Sequence, residues 1–307
     1  MKRTLFTICL GILATTLATA QVTEVESDLL DIDEEIEDGW QTGGLFSLSF
    51  SQISLTNWAA GGQNSLSGNS IVSMFADYRR GSISWNNSLD LGYGLLKQED
   101  EGVRKNDDKV DIVSKAGMRA AENWFYAGLV NFRTQMAPGY RYPNDSVAIS
   151  RFLAPAYLLG AIGMDYQPDD RFTLFLAPLT GKLTLVTDPD LSAQGAFGVD
   201  PGEKTYAEFG GYLRAQYRRT ITENISVRTK IDIFSNYLEK PQNLDINWEA
   251  LVMMNVTRYI TLSFATHLIY DESVMIPYDS TGDGVADKSG PKVQFKQLLG
   301  AGLSYRF

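Results

Sequence analysis

The last stretch of the chain, residues 290–307, reads GPKVQFKQLLGAGLSYRF and decides the fold. From Val293 onward, mostly apolar or small side chains occupy every second position, and mostly polar or small residues lie between them. A period of two over this length is typical of a β-strand with one apolar and one mostly polar face. The stretch therefore predicts a barrel strand, and the alternation alone fits a soluble antiparallel barrel as well as a membrane-spanning one.

The end of this strand favours the membrane barrel. The chain finishes on Tyr305-Arg306-Phe307, with no charged tail after the aromatic residue. A final amphipathic strand with a terminal aromatic is typical of bacterial outer-membrane barrels, whose insertion machinery binds it. We therefore predict that Tyr305 and Phe307 form an insertion signal, that the partners are this machinery and the outer-membrane lipid bilayer, and that the last strand pairs with the first strand near residues 44–50.

The first twenty residues predict export. Lys2 and Arg3 precede an apolar run over 5–17, and Ala18-Thr19-Ala20 supplies an A-x-A cleavage site. This pattern is typical of a secretory signal peptide over residues 1–20, and the apolar run is too short for a mature membrane helix. The only cysteine, Cys9, lies inside it, so the mature protein is expected to have no disulfide and no cysteine metal site.

An acidic segment follows over residues 21–39. It contains no Lys or Arg and few large apolar side chains. Such a segment cannot bury enough surface to offset its chain entropy, so it is predicted to be a disordered periplasmic tail preceding a barrel at 40–307. The absence of a basic face argues against nucleic acid as a partner. The acidic side chains are Glu24, Glu26, Asp28, Asp31, Asp33, Glu34, Glu35, Glu37 and Asp38.

The remainder of the chain predicts an all-β fold, a transmembrane antiparallel up-and-down β-barrel of about twelve strands. Short turns alternate with long loops between the strands, which is how outer-membrane barrels are built, with turns periplasmic and loops outside. An even strand number places both termini on the periplasmic side. Pro178 falls inside a predicted strand and should mark a bulge or a shorter strand. The predicted strands are 44–56, 69–79, 82–96, 107–120, 124–136, 153–167, 171–186, 205–218, 225–238, 243–256, 260–271 and 290–307.

Aromatic side chains on the apolar face support a membrane position. One group lies near the predicted turns and a second group near the opposite strand ends. From Trp85 to Tyr93 a tilted strand rises about 20 Å, close to the ~25 Å apolar band between aromatic girdles. The first group is Tyr78, Trp85, Trp124, Tyr126, Tyr166, Phe172, Tyr217 and Tyr305, and the second is Tyr93, Tyr237, Trp248 and Tyr270.

The polar face predicts a charged lumen. Two functions fit it: a narrow water-filled channel for small solutes, or a structural or accessory barrel whose lumen is plugged by ion pairs and which acts through its loops or acidic tail. The predicted lumen-lining residues are Asp90, Lys109, Asp111, Lys115, Arg119, Arg133, Asp165, Glu208, Arg214, Lys230, Asp232, Glu249, His267, Asp271, Lys292 and Lys296.

One loop carries a weak calcium pattern. Asp279, Asp283 and Asp287 partly match the acidic loops that bind calcium, with Gly284 permitting the turn. Thr281 replaces the middle acid, and no Glu closes the loop, so a plain hydrophilic surface loop is the alternative. No other cofactor is predicted.

An outer-membrane lipid hydrolase is a third possible function, and His267 bears on it because it is the only histidine. A hydrolase of this kind needs a histidine to activate a serine. The alternation points His267 into the lumen, away from lipid, where a hydrogen-bonded packing role fits better. G-x-S-x-G, H-E-x-x-H and P-loop motifs are absent from the sequence, so no catalytic residue is predicted.

Eight segments resemble one uncharacterised family, catalogued as domain of unknown function 3078. The similarity extends over nearly all of residues 40–307 and implies an outer-membrane location and a barrel fold, but no mechanism. The segments are SLTNWAAGGQNSLSG, LDLGYGLLKQ, RKNDDK, FRTQMAPGYRYPND, FLAPAYLLG, LAPLTGKLT, GAFGVDPGEK and FSNYLEKPQNLDINWE.

Overall fold

The computed structural model of the chain describes residues 38–54, 64–98, 102–142, 144–257, 259–281 and 287–306. Within these ranges the main sheet is a closed barrel of twelve antiparallel strands, which confirms the predicted fold class. The barrel strands are β1 Gly39–Ile53, β2 Ser65–Arg80, β3 Ile83–Gln98, β4 Arg104–Arg119, β5 Trp124–Thr134, β6 Ala156–Tyr166, β7 Phe172–Leu185, β8 Thr205–Thr222, β9 Ile225–Asn236, β10 Asp245–Asn255, β11 Ile260–Tyr270 and β12 Gln294–Arg306.

The barrel closes where its first and last strands pair. Each strand pairs with its neighbours along the chain, and β1 pairs with β12 from Leu45 opposite Arg306 to Ser49 opposite Gly302. The predicted pairing of the last strand with residues 44–50 is thus confirmed. Closure leaves no unpaired sheet edge, which is the condition for a β-structure to sit in hydrocarbon.

The two ends of the barrel differ in their connections, as predicted. One end, called the turn side here, carries five connections of two to five residues, and the other end, the loop side, carries six connections of five to 23 residues. Gly39 at the start of β1 is paired with Arg79, next to a turn, and Leu303 of β12 lies opposite Ile260. Both ends of the barrel sheet therefore lie at the turn side. The short connections are 81–82, 120–123, 167–171, 223–224 and 256–259.

A bulge in β7 surrounds Pro178, which confirms the prediction for that residue. Leu176 pairs with Met164 and Leu179 pairs with Ile162, so the bulged residues lie opposite Gly163. A Cβ atom at Gly163 would lie 1.9 Å from the Leu176 carbonyl oxygen, so only glycine fits there. Because a bulge adds a residue to one strand, it reverses which side chains of β7 face inward beyond this point.

The outer surface of the barrel is apolar. Large side chains on the outward face of many strands are exposed, including Leu299 at 78% and Ile162 at 66%. Soluble proteins bury such faces against a second layer. Aromatic side chains form contacts near both ends of the outward face. The ring pairs are Trp40–Tyr78 at 5.2 Å, Trp40–Trp85 at 5.6 Å and Trp124–Tyr166 at 4.8 Å on the turn side, and Phe209–Tyr237 at 6.1 Å on the loop side.

The loop between β7 and β8 folds over one part of the loop side. It contains a short helix, α1, over Pro189–Ala193. Asp188 caps this helix, because its side chain accepts hydrogen bonds from the backbone N–H groups of Asp190 and Leu191. A small apolar cluster holds this loop against the barrel. Among the described residues, no helix is long and apolar enough to cross a membrane. The buried members of the cluster are Ala154, Val186, Leu191 and Val199.

The last loop corrects the predicted start of the final strand. Residues Lys288–Pro291 pair with Met275–Tyr278 in a separate two-stranded hairpin, and β12 begins only at Gln294. Lys292 therefore lies between hairpin and barrel, with its ammonium group 3.8 Å from the centre of the Tyr278 ring. Its predicted place on the inward face of the last barrel strand is wrong, because the hairpin partner takes up the first part of the 290–307 stretch.

Candidate functional site: a divided lumen

Three inward side chains of β4 cross the lumen. They are two residues apart along the strand, and each forms an ion pair with a different strand of the opposite wall. β4 and β10 are six positions apart in the closed strand order, the largest separation in a ring of twelve. The crossing pairs, as we call them, are Asp107–Lys296 of β12 at 2.5 Å, Lys109–Glu249 of β10 at 2.6 Å, and Asp111–Lys230 of β9 at 3.0 Å.

A buried charge cluster continues from the crossing pairs toward β8. The Asp232 carboxylate accepts hydrogen bonds from Arg214 Nε at 2.6 Å, from the Tyr212 hydroxyl at 2.5 Å and from Arg133. The Asp111 carboxylate is fully buried and also accepts from Asn131 at 2.6 Å. Buried charges of this kind persist only when they are paired and hydrogen-bonded, as these are. The Lys109–Glu249 and Asp111–Lys230 pairs and this cluster together divide the lumen into two parts.

The first part, the packed half, lies along β5 to β9 and is filled by side chains. Its centre is an apolar cluster in which Leu129 is 2% exposed and Phe175 is 1% exposed. These inward apolar side chains fill the middle of this half, and Leu129 also borders the neighbouring cavity. The buried members are Ala127, Leu129, Leu159, Ala161, Phe175, Ala177, Tyr212 and Phe234.

A second ion-pair group closes the packed half toward the loop side. Lys182 Nζ lies 2.6 Å from Asp245, 3.0 Å from Glu208 and 3.7 Å from Asp271. One ammonium group thus joins β7, β8, the start of β10 and the end of β11. The group is mostly buried and pins four parts of the wall together.

The second part, the open half, lies along β9 to β12 and β1 to β4 and contains a cavity of about 440 Å³, which at the turn side also extends beneath the ends of β7 and β8. The inward residues of β3 from Ser84 to Gly94 are all small or short and polar, so this part of the wall leaves the lumen unfilled. The cavity runs from the turn-side rim at Arg79 to the Asp107–Lys296 pair. Its volume is in the range of small-molecule sites. The inward residues of β3 that line it are Asn86, Ser88, Asp90 and Gly92.

His267 lies on the inward face beside the crossing pairs. Its Nε2 atom is hydrogen-bonded to the Asn247 side-chain amide at 2.7 Å and lies 3.9 Å from Glu249. His267 also faces Lys296 across the β11–β12 pairing. The neighbouring side chains hold this ring inside the lumen, away from lipid. In this arrangement His267 is placed to position the Glu249 carboxylate rather than to transfer a proton to a substrate.

The other predicted lumen residues are placed in three settings. Lys115 forms a 2.5 Å ion pair with the buried Asp165 on the boundary of the packed half. Asp90 faces the cavity and accepts a hydrogen bond from the Ser73 hydroxyl at 2.5 Å. Arg119 is exposed at the turn side, with its guanidinium 5.5 Å from the centre of the Phe125 ring. Only Lys292, of the predicted set, lies outside the barrel strands and their lumen.

Several site residues were not predicted. Lys182 was missed because the Pro178 bulge reverses the alternation of β7, so a count from Phe175 without a bulge turns Lys182 outward. Asp107 and Asp245 were missed because they lie at strand ends. Asp107 is two residues from Lys109 and Asp245 is four residues from Glu249, so the alternation places both on the inward face. The proline inside a strand is the signal that could have identified Lys182.

The calcium loop is only partly described. Asp283 lies outside the described residues, while Asp279 accepts hydrogen bonds from Thr281 at 2.8 and 3.1 Å. The Ser280 hydroxyl and backbone N–H both donate to Asp287 at 2.6 Å and hold the pKa of that carboxyl below its usual range. Among the described residues, no group of three His, Cys, Asp or Glu side chains could hold a metal ion. Calcium binding at this loop stays a prediction.

Other predicted features fall wholly or partly outside the described residues. These are the signal peptide at 1–20, the acidic segment up to residue 37, and Phe307 of the insertion signal. Tyr305 is described: it lies on the outward face at the turn side and is 60% exposed. The Asp38 carboxylate, where the acidic segment meets the barrel, accepts a hydrogen bond from the Gly81 N–H at the first turn.

Comparison with known proteins supports the predicted family resemblance. The family described as "Protein of unknown function (DUF3078)" matches residues 50–140, from the end of β1 into the loop after β5. This segment contains all of β4, the source of the crossing pairs, and is shorter than the resemblance read from the sequence. No curated protein matches the chain.

Several solved structures are similar to this chain at low identity. An outer membrane channel from Pseudomonas putida F1 is 13% identical with a TM-score of 0.40, covering 90% of this chain and 98% of its own. The translocator domain of the autotransporter NalP from Neisseria meningitidis is 9% identical with a TM-score of 0.34, covering 92% of each chain. The CymD monoaromatic hydrocarbon channel is 11% identical with a TM-score of 0.32, covering 88% of each chain.

Proposed function

We propose that this protein is an outer-membrane barrel that forms a narrow, non-catalytic channel for small hydrophilic solutes. The observation that carries the proposal is the unequal filling of the lumen. The middle of the packed half is filled by buried apolar side chains, whereas the open half contains a cavity of about 440 Å³ whose β3 wall, from Ser84 to Gly94, carries only small or short polar side chains. A barrel that served only as a scaffold would have no need to keep such a cavity in its interior.

The outer surface supports the membrane position. Its large apolar side chains would cost about 25 cal/mol for each Å² of apolar surface kept in water. Lipid removes that cost, and aromatic side chains near both ends match the two membrane interfaces. The lipid bilayer and the insertion machinery are accordingly the partners we propose, with both ends of the barrel sheet on the periplasmic side.

The Asp107–Lys296 pair is the constriction of this channel. It crosses the open half from β4 to β12 at the loop-side end of the cavity, and the Lys296 side chain is 47% exposed. An exposed ion pair is worth only about 0–1 kcal/mol. Because it can break at low cost, the pair narrows the path without sealing it.

Planar-bilayer recording of the full chain tests the channel. We expect small single-channel currents from the wild type and larger currents from Asp107→Asn, because the substitution removes the ion pair from the constriction. The matched control is Asp245→Asn, which weakens the Lys182 group in the packed half and should leave the conductance unchanged. Absence of current above the empty bilayer from both the wild type and Asp107→Asn would contradict the proposal.

One observation favours the second candidate, an accessory barrel with a plugged lumen. One of the crossing pairs, Lys109–Glu249, spans the lumen at its widest strand separation, and the Asp111–Lys230 pair beside it is buried. If the barrel were plugged, the chain would insert and resist denaturation as expected but would conduct no ions, and its function would lie in its loops or acidic tail. Swelling of proteoliposomes in small sugars separates the candidates, since only the channel admits the solute.

A further inference from the structure

The turn-side mouth of the cavity is rich in arginine. Arg79, Arg218 and Arg228 lie on inward positions of β2, β8 and β9, and Arg171 and Arg219 also line the cavity there. Three aspartates line the same rim, so cations outnumber carboxylates five to three in this part of the cavity lining.

Two of these arginines face each other directly. Arg218 of β8 lies opposite Arg228 of β9, and both side chains are exposed to the cavity. Like charges directly opposite on neighbouring strands destabilise a sheet. Arg218 Nε donates to the Asp170 backbone carbonyl at 2.8 Å, which holds its guanidinium at the rim. Among the described residues, no carboxylate lies within ion-pair distance of Arg228.

The rim aspartates are engaged elsewhere or shared. The Asp169 carboxylate accepts from the backbone N–H groups of Arg171 at 2.9 Å and Phe172 at 2.8 Å, and shapes the turn. The Asp170 carboxylate lies 3.6 Å from Arg79. Asp77 interacts with Arg218 and Arg79 and is hydrogen-bonded by Asn86. These carboxylates therefore neutralise only part of the positive charge of Arg218 and Arg228.

We infer that the turn-side mouth is a binding site for anionic groups, carboxylate or phosphate, built on Arg218 and Arg228 with Arg79 beside them. Guanidinium groups bind such anions through paired N–H donors, and two facing guanidinium groups supply two such forks. The inference rests on the proposed function in one respect: the anion class would also be the solute class that enters the channel from the turn side.

Two sources could supply the anionic group. One is a free solute that enters the cavity. The other is the chain's own acidic segment, whose eight carboxylates between Glu24 and Glu37 directly precede the barrel. That segment joins the barrel at Asp38 and Gly39, and Gly39 is paired with Arg79 at this same rim. Fourteen residues reach up to about 45–50 Å when extended, which exceeds what is needed to reach the mouth.

Isothermal titration with inorganic phosphate, on the detergent-solubilised full chain, tests the site without any need for conductance. We expect the Arg218→Gln, Arg228→Gln double variant to bind phosphate at least about tenfold more weakly, because both guanidinium forks are lost. Arg80→Gln is the matched control, since Arg80 neighbours Arg79 on β2 but does not line the cavity. Arg228→Lys, which keeps the charge but loses the fork, should give an intermediate affinity.

A second full-length variant, with the eight acids from 24 to 37 replaced by their amides, distinguishes the sources. Tighter phosphate binding in this variant identifies the acidic segment as a competing occupant, and unchanged binding identifies free solute as the ligand. Absence of phosphate binding in both the wild type and the amide variant overturns the inference, as does equal binding by the double variant. Bilayer current without phosphate binding defeats this inference alone, whereas phosphate binding without current defeats the channel alone.

Discussion

The two halves of the lumen have walls of the same construction but are filled to different extents. Both are built from antiparallel strands with alternating inward and outward side chains, and both present apolar side chains outward. The difference lies in the size of the inward residues. A barrel of one strand number can therefore be solid on one side and hollow on the other, and side-chain volume decides where water can pass. On β5 these residues are Phe125, Ala127, Leu129, Asn131 and Arg133, and on β3 they are Ser84, Asn86, Ser88, Asp90 and Gly92.

The largest expected effect comes from removing a buried carboxylate at the boundary between the halves. Asp111→Ala removes a fully buried carboxylate that pairs with both Lys230 and Arg133, which should lower the free energy of unfolding by about 3–5 kcal/mol. Urea denaturation in detergent, followed by tryptophan fluorescence, measures it. Asp90→Ala in the open half is the control and should cost only about 0.5–1.5 kcal/mol, since Asp90 has one hydrogen bond from Ser73. Equal losses in the two variants would contradict the division.

The apolar clusters of the two halves should respond differently to truncation. Leu129 borders the cavity from the packed half but is only 2% exposed, so Leu129→Ala should lower the free energy of unfolding by about 2–5 kcal/mol. Leu298 is half-buried and lines the open cavity, so Leu298→Ala should cost about 1 kcal/mol or less. The same denaturation assay compares them. A loss at Leu298 as large as that at Leu129 would mean that the open half is filled.

Replacing a small residue by tryptophan should affect stability in the packed half and conductance in the open half. Ala161→Trp has no space in the packed half, where Ala161 is 3% exposed, and should destabilise the barrel by about 1–3 kcal/mol or more. Ser88→Trp projects into the cavity and should be tolerated, but should reduce the single-channel current. Denaturation and bilayer recording on both variants check the pair. Current through Ser88→Trp equal to the wild type would place the conducting path elsewhere.

The smallest expected stability effect is at the constriction. Asp107→Asn breaks an ion pair with a half-exposed lysine and should change the free energy of unfolding by only about 0–1 kcal/mol. The change is again measured by urea denaturation. Because the same variant should raise the conductance, it distinguishes a residue that limits conductance from one that stabilises the barrel. A loss of several kcal/mol would instead assign the pair to the structural cluster.

The fold followed from the sequence more completely than the site did. Alternation, turn spacing and the proline inside β7 predicted twelve strands, their closure and a bulge, because these depend on local patterns with a period of two. The division of the lumen depends on which inward side chains meet across it, and this is set by barrel tilt and by contacts 119 to 189 residues apart along the chain, as in Asp111–Lys230 and Asp107–Lys296. No local pattern carries that information.

Lys182 and Lys292 illustrate the two ways in which the alternation misled. At Lys182 a bulge shifted the register by one residue, so this side chain, which the predicted lumen set did not include, points into the lumen. At Lys292 a loop hairpin took residues that the period of two assigned to the barrel. In both places the pattern was present, but pairing partners elsewhere in the chain decided the geometry.

Thiol accessibility tests the divided lumen most directly. Cys9 is the only cysteine and lies in the predicted signal peptide, so single-cysteine variants of the mature chain report one position each. In bilayer recordings with a charged methanethiosulfonate reagent, Ser88→Cys should react and its current should fall, while Ala161→Cys should stay unmodified with its current unchanged. Equal reactivity at the two positions, or reaction at Ala161→Cys alone, would contradict the claim that water passes through one half of this barrel and not the other.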